Sequence, residues 1–105
     1  MKQEDNDMEK SVFEAADELV NRINTSGCRV TIPYAEPCPL SVVFGGTFDD
    51  AEFIPSYPAT LHIYGFNGHI SVSAINSIDE LSHNKCVINF GDDAHQMDML
   101  VKILE

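Results

Sequence analysis

The sequence predicts an α+β fold, a two-layer sandwich in which an antiparallel sheet of about five strands carries an N-terminal and a C-terminal helix on one face. Three observations predict it: an amphipathic stretch at the front, alternating apolar runs punctuated by turn residues in the middle, and an apolar stripe at helical spacing at the end. The implied order is α-β-β-β-β-β-α. With 105 residues, the chain builds one modest core, so residues 1–105 are read as a single domain with a flexible polar lead-in at 1–7.

The first helix rests on Met8, Val12, Phe13, Ala16, Leu19, Val20 and Ile23, which fall on one side of a helical wheel, while Glu14, Asp17 and Glu18 fall on the other. Asp7 is the expected N-cap, Ser11 to Glu14 a competing capping box, and Asn24 to Gly27 the stop. Cys28 to Tyr34 alternates as a half-buried strand, with Val30 and Ile32 on one side and Arg29 and Thr31 on the other. Leu40 to Phe44 follows as a second strand, and the connection is too short for a parallel crossover, so the two pair antiparallel.

Asn67-Gly68 separates the β-rich runs Thr60–Phe66 and His69–Ile75, a strong hairpin signal because both turn positions favour positive φ. A two-residue Asn-Gly loop pairs Phe66 with His69, Tyr64 with Ser71 and His62 with Ser73, and puts these six on one face. Leu61, Ile63, Gly65, Ile70, Val72 and Ala74 then form the core face. Ser77 to Glu80 reads as a capping box opening a short helical turn, Cys86 to Phe90 as a last strand, and Gly91-Asp92-Asp93 as the entry to a helix with the stripe Met97, Leu100, Val101 and Leu104.

Charge is the unusual property. The chain has 17 Asp and Glu against 6 Lys and Arg, a formal net charge of -11. Such a surface repels phosphate backbones and anionic lipid and attracts basic partners, so direct nucleic-acid and membrane binding are not expected. The N-terminus lacks the apolar core of a signal peptide, and Cys28, Cys38 and Cys86 are odd in number without close spacing. Reduced thiols and a cytoplasmic location are expected, and the Asn24-Thr25-Ser26 sequon is a chance match.

Catalytic and metal constellations are weak. His83 and Cys86 offer two ligands, but His95 and Cys28 are scattered singles rather than a second close pair, so no metal and no cofactor are assigned. The acidic surroundings push a thiol pKa the wrong way for a nucleophile. Asp49-Asp50 and Asp92-Asp93 are adjacent in sequence, not opposed across a cleft, and Gly45-Gly46 lacks the Lys of a phosphate loop. No enzyme activity is expected.

Two features rise above this background. Residues 45–59 form a long expected loop in which Phe48, Phe53 and Tyr57 accompany Asp49, Asp50 and Glu52, the composition of an aromatic hot spot for a basic groove. The outward hairpin face carries His62, Tyr64, Phe66 and His69. Together with Glu14, Asp17 and Glu18, these residues suggest an acidic inhibitor or adaptor for a basic protein, such as a nucleic-acid-binding enzyme whose phosphate it mimics. Anti-CRISPR and anti-restriction proteins from phage share this size and charge, which is an analogy of character and not of motif. A ligand-binding or hydrolytic domain using a cleft beside the 45–59 loop, and a structural homodimer, are the alternative readings.

Overall fold

A computed structural model describes residues 2–32, 42–43, 47–56, 59–66 and 68–105. The described residues form one helix, α1 (Lys2–Ser26), and eight strands: β1 (Cys28–Ile32), β2 (Val42–Val43), β3 (Phe48–Ile54), β4 (Thr60–Gly65), β5 (Gly68–Ser73), β6 (Ile75–Ser82), β7 (Lys85–Gly91) and β8 (Gln96–Ile103). All pairings are antiparallel, in the order β5-β4-β3-β1-β8-β7-β6, with β2 beside β1. The α+β class matches the expectation; the element count does not.

The helix begins at Lys2 instead of after Asp7. It stops where expected. Gly27 has φ +80° and donates its N–H to the Ile23 carbonyl at 2.8 Å, a left-handed cap that glycine adopts without a Cβ penalty. Ala16, Leu19 and Ile23 are buried against the sheet, and Phe13 meets Phe53 edge-on with ring centroids 5.5 Å apart.

The C-terminal helix is replaced by β8. Met97, Leu100, Val101 and Leu104 satisfy helical spacing, but the same segment alternates: Met99, Val101 and Ile103 are buried, and Asp98, Leu100 and Lys102 lie between them. Pairing decides between the two periods, because β8 sits centrally, bonded to β1 on one side and β7 on the other. The Asp92 cap does form, its Oδ1 accepting from the Ala94 and His95 N–H groups at 3.0 and 2.7 Å, but it closes a turn into a strand. The expected helical turn at Ser77–Glu80 likewise lies inside β6, paired along β7.

The 45–59 loop is the third correction. β3 occupies its centre, with Phe48 and Ala51 buried and Asp50 and Glu52 exposed. A register shift between Phe48 and Asp50 inserts one residue, which lets Phe48 and Ala51 both face inward. β1 pairs with β3 only at Cys28, so the edge of β3 beyond is open, and α1 closes it. Asn24 accepts from the Ala51 N–H at 2.7 Å and donates to the Ala51 carbonyl at 3.2 Å, replacing a strand partner with one side chain.

The strand expected at Leu40–Phe44 is present at Val42–Val43, antiparallel to β1 through Thr31↔Val43. Tyr34, Cys38, Gly45, Gly46, Tyr57 and Asn67 lie outside the described residues.

The hairpin changes its register and keeps its faces except at the end, where Ala74, expected on the core face, is exposed at the corner that follows β5. Gly65 pairs with Gly68, Tyr64 with His69 and His62 with Ser71, so residues 66 and 67 are the connection instead of Asn67-Gly68. The shift is by two in the pairing sum, which preserves side-chain parity, so Leu61, Ile63 and Val72 are buried as the alternation requires. Gly65 is demanded from the other side: a Cβ there would come 2.8 Å from the Thr47 carbonyl and the Phe48 ring.

β5 and β6 stand at opposite ends of the strand order yet are joined by Ala74 alone, so the sheet curls and these two strands meet at that corner without pairing along their edges. Ala74 makes that corner with φ 54°, and its carbonyl accepts from the Gly91 N–H at 3.0 Å. The core is one cluster fed by α1 and both halves of the curled sheet.

Candidate functional site

The outer face of β3, β4 and β5 assembles two rows of side chains across three strands. Asp50, Tyr64 and His69 are cross-strand neighbours in one, and Glu52, His62 and Ser71 in the other. Tyr64 stacks on His69 with centroids 4.5 Å apart and planes 14° apart, and His62 lies 5.1 Å from His69. His62 Nδ1, His69 Nε2 and Ser71 Oγ approach one another at 3.0, 2.9 and 3.2 Å. The Tyr64 hydroxyl donates to Glu52 Oε1 at 3.4 Å. Its pKa is raised, first by loss of solvent in the stack and then by the Glu52 and Asp50 carboxylates.

The strands explain why this patch is preformed. β4 is held between β3 and β5, so the rotamers of His62 and Tyr64 are confined by neighbours on both sides. The carboxylates stand on β3 as acceptors with no cation beside them among the described ion pairs. At the hairpin end, Phe66 is 99% exposed. Chemically the patch offers stacked rings for a guanidinium or apolar contact and carboxylates for its charge.

Not every expected site residue joins it. Phe48 is in the core and Phe53 packs under Phe13, so neither is an exposed anchor; both inward positions follow from β3 being a strand. Asp49 is exposed at the register shift. Glu14, Asp17 and Glu18 are exposed on α1, which covers the inner face, so they point away from the Asp50–Glu52 patch and form a separate surface. His69 was expected on this face with His62 and Tyr64; Ser71, expected on the same face by parity, is the addition to the cluster, through its contacts with both histidines.

A second outward cluster has the opposite sign. Arg29, Lys102 and Lys85 are direct cross-strand neighbours on β1, β8 and β7, all exposed, and none is in an ion pair among the described residues. They are three of the chain's six basic residues. The remaining described arginine, Arg22, instead pins α1 to the turn after β6, donating to the His83 carbonyl and to Glu105 Oε1.

Between α1 and β6–β7 lies a cleft of about 120 Å³ lined by Glu18, Arg22, Ile78, Glu80 and Cys86. It is smaller than ordinary small-molecule sites of roughly 300–1,000 Å³. Burial raises the Cys86 thiol pKa despite Arg22, and pushes Cys28 up to about 12, so neither is an activated nucleophile. His83 is exposed while Cys86 points into the core, and no group of three or more His, Cys, Asp or Glu among the described residues is arranged to hold a metal. No described helix is long and apolar enough to cross a membrane. No family model, no curated protein and no solved structure matches this chain.

Proposed function

We propose that the protein is a binding module that engages a basic surface of a partner protein through the outer face of β3, β4 and β5. The observation that supports this most is the Tyr64–His69–His62 stack bordered by Asp50 and Glu52, a preformed acidic aromatic patch on regular strands. Aromatic rings give contact area at small entropy cost, and carboxylates beside them select arginine-rich surfaces. A nucleic-acid-binding enzyme is the partner class whose basic groove this complements, with the protein acting as its inhibitor or adaptor. The net charge of -11 supplies long-range attraction. The alternative of a ligand site beside the 45–59 segment would have to use what flanks β3, which takes up its centre at Phe48–Ile54.

The test is affinity capture from a cell extract on wild-type protein and on Asp50→Lys/Glu52→Lys, with elution by rising salt. Basic proteins retained by the wild type, absent from the double variant and released as the Debye length falls below about 10 Å, support the reading. Identical retained proteins on both would overturn it.

A further inference from the structure

The two ends of the strand order are protected to different degrees. β6 has register shifts between Ile75 and Ser77 and between Glu80 and Ser82, carries Asp79 and Glu80, and shares the cleft with α1. These are the devices by which a sheet edge resists pairing. β5 has none of them. Its six pairs with β4 run without a shift, it contains no Pro, Asp, Glu, Lys or Arg, and nothing among the described residues pairs with its outer edge.

The register says which groups that edge presents. Gly65 and Gly68 close a two-residue connection as partners, so they exchange hydrogen bonds, and the alternation of an antiparallel ladder gives β4 the main-chain groups of Gly68, Ile70 and Val72. The N–H and C=O groups of His69, Ser71 and Ser73 then face outward. We propose that this edge pairs antiparallel with β5 of a second copy of the chain, about a two-fold axis at Ser71.

Charge selects the second copy as the occupant. In a chain of net charge -11 there is no Asp, Glu, Lys or Arg between Glu52 and Asp79. A polyanion that self-associates must keep like charges out of the contact, and β5 lies within this uncharged stretch. The strand is also self-complementary. With Ser71 facing Ser71 of the partner copy, Ile70 faces the partner's Val72 and His69 the partner's Ser73, so no charge opposes its like, and the half-buried Ile70 gains apolar cover. The dimer joins two copies of the acidic aromatic face edge to edge, and the pairing stands whether or not that face binds a basic partner.

Sedimentation equilibrium between roughly 1 and 500 µM tests this. The expected result is a reversible dimer that strengthens as salt rises, because screening relieves repulsion between two anionic chains, whereas binding to a basic partner weakens with salt. Ser71→Pro removes an outward N–H and no bond to β4, and should weaken dimerisation at least about tenfold. Ser71→Asp leaves the backbone alone and sets two carboxylates against each other at the axis; it should do the same and carries the test if the proline variant misfolds. A monomer throughout the range overturns the proposal, as does a dimer of unchanged strength in folded Ser71→Asp protein.

Discussion

The outer face of the sheet carries an acidic aromatic patch on one half and a row of three basic residues on the other. Across β3, β4 and β5, Asp50 and Glu52 border stacked rings, and Glu52 accepts from the Tyr64 hydroxyl. Across β1, β8 and β7, Arg29, Lys102 and Lys85 stand in direct opposition without ion partners among the described residues. A net charge of -11 describes neither. The comparison teaches that strand register concentrates scattered charges into patches, each of one sign and neither with an ion partner among the described residues.

The largest expected effect concerns what lies beneath both faces. Ile63→Asp or Val72→Asp places a carboxylate in a core where both residues are buried, and should abolish folding, while Ser71→Asp and Ser73→Asp should leave the melting temperature of the monomer nearly unchanged. Thermal melts ranking these the other way would show the hairpin faces reversed. Gly91→Ala comes next: φ is +110°, and a Cβ would clash with the His95 carbonyl oxygen, so the β7–β8 turn, at the far end of these strands from Lys85 and Lys102, must rebuild, at a cost of about 2–4 kcal/mol in denaturant unfolding. Asn24→Ala strands the Ala51 N–H and C=O on the acidic side, and about 1–3 kcal/mol should be lost.

These same positions show what the sequence made legible. The helix stop at Gly27, the antiparallel β1–β2 pair and the two faces of the hairpin were readable because each depends on local rules: positive φ at glycine, a short connection, a period of two. The conversion of the expected last helix into β8 was not, because Met97 to Leu104 fits both periods and only its neighbours β1 and β7 choose. Asn24 reads locally as a helix stop, and its bond to Ala51 depends on β1 leaving β3, which no local pattern carries. The candidate site was half legible: His62 and Tyr64 followed from parity, and the arrival of Asp50 and Glu52 beside them needed β3 to be a strand.

Cys28, shared by both halves through its pairing with β3 and β8, gives a pH test. Its thiol titrates near 9.0 when unfolded and is pushed up to about 12 by burial. The folded-state pKa is raised, so this contribution to stability is complete below pH 9 and lost as pH climbs from 9 towards 12. Denaturant midpoints should therefore fall over that window, less so in Cys28→Ala or Cys28→Val measured against their own neutral-pH values. Thiol reagents should reach Cys28 and Cys86 slowly at pH 8, since both are buried.

The smallest effect separates the two faces most directly. Lys102→Glu sets an anion between Arg29 and Lys85 and exchanges two like-charge oppositions for two favourable ones, which should stabilise the fold by about 0.5 kcal/mol at low salt and by less as salt rises. Asp50→Lys removes a charge that sits beside Tyr64 with no ionic partner, so it should leave the melt nearly unchanged. Binding to a basic partner should respond in the opposite pattern: Asp50→Lys slows association and raises the off-rate, while Lys102→Glu, remote from the patch, only adds to long-range attraction and quickens association slightly. Stability and association rate measured on the same two variants thus move independently if the faces have separate roles. A Lys102→Glu variant that is more stable and also loses partner binding would place the contact on the basic row, and the acidic aromatic patch would then be surface without that function.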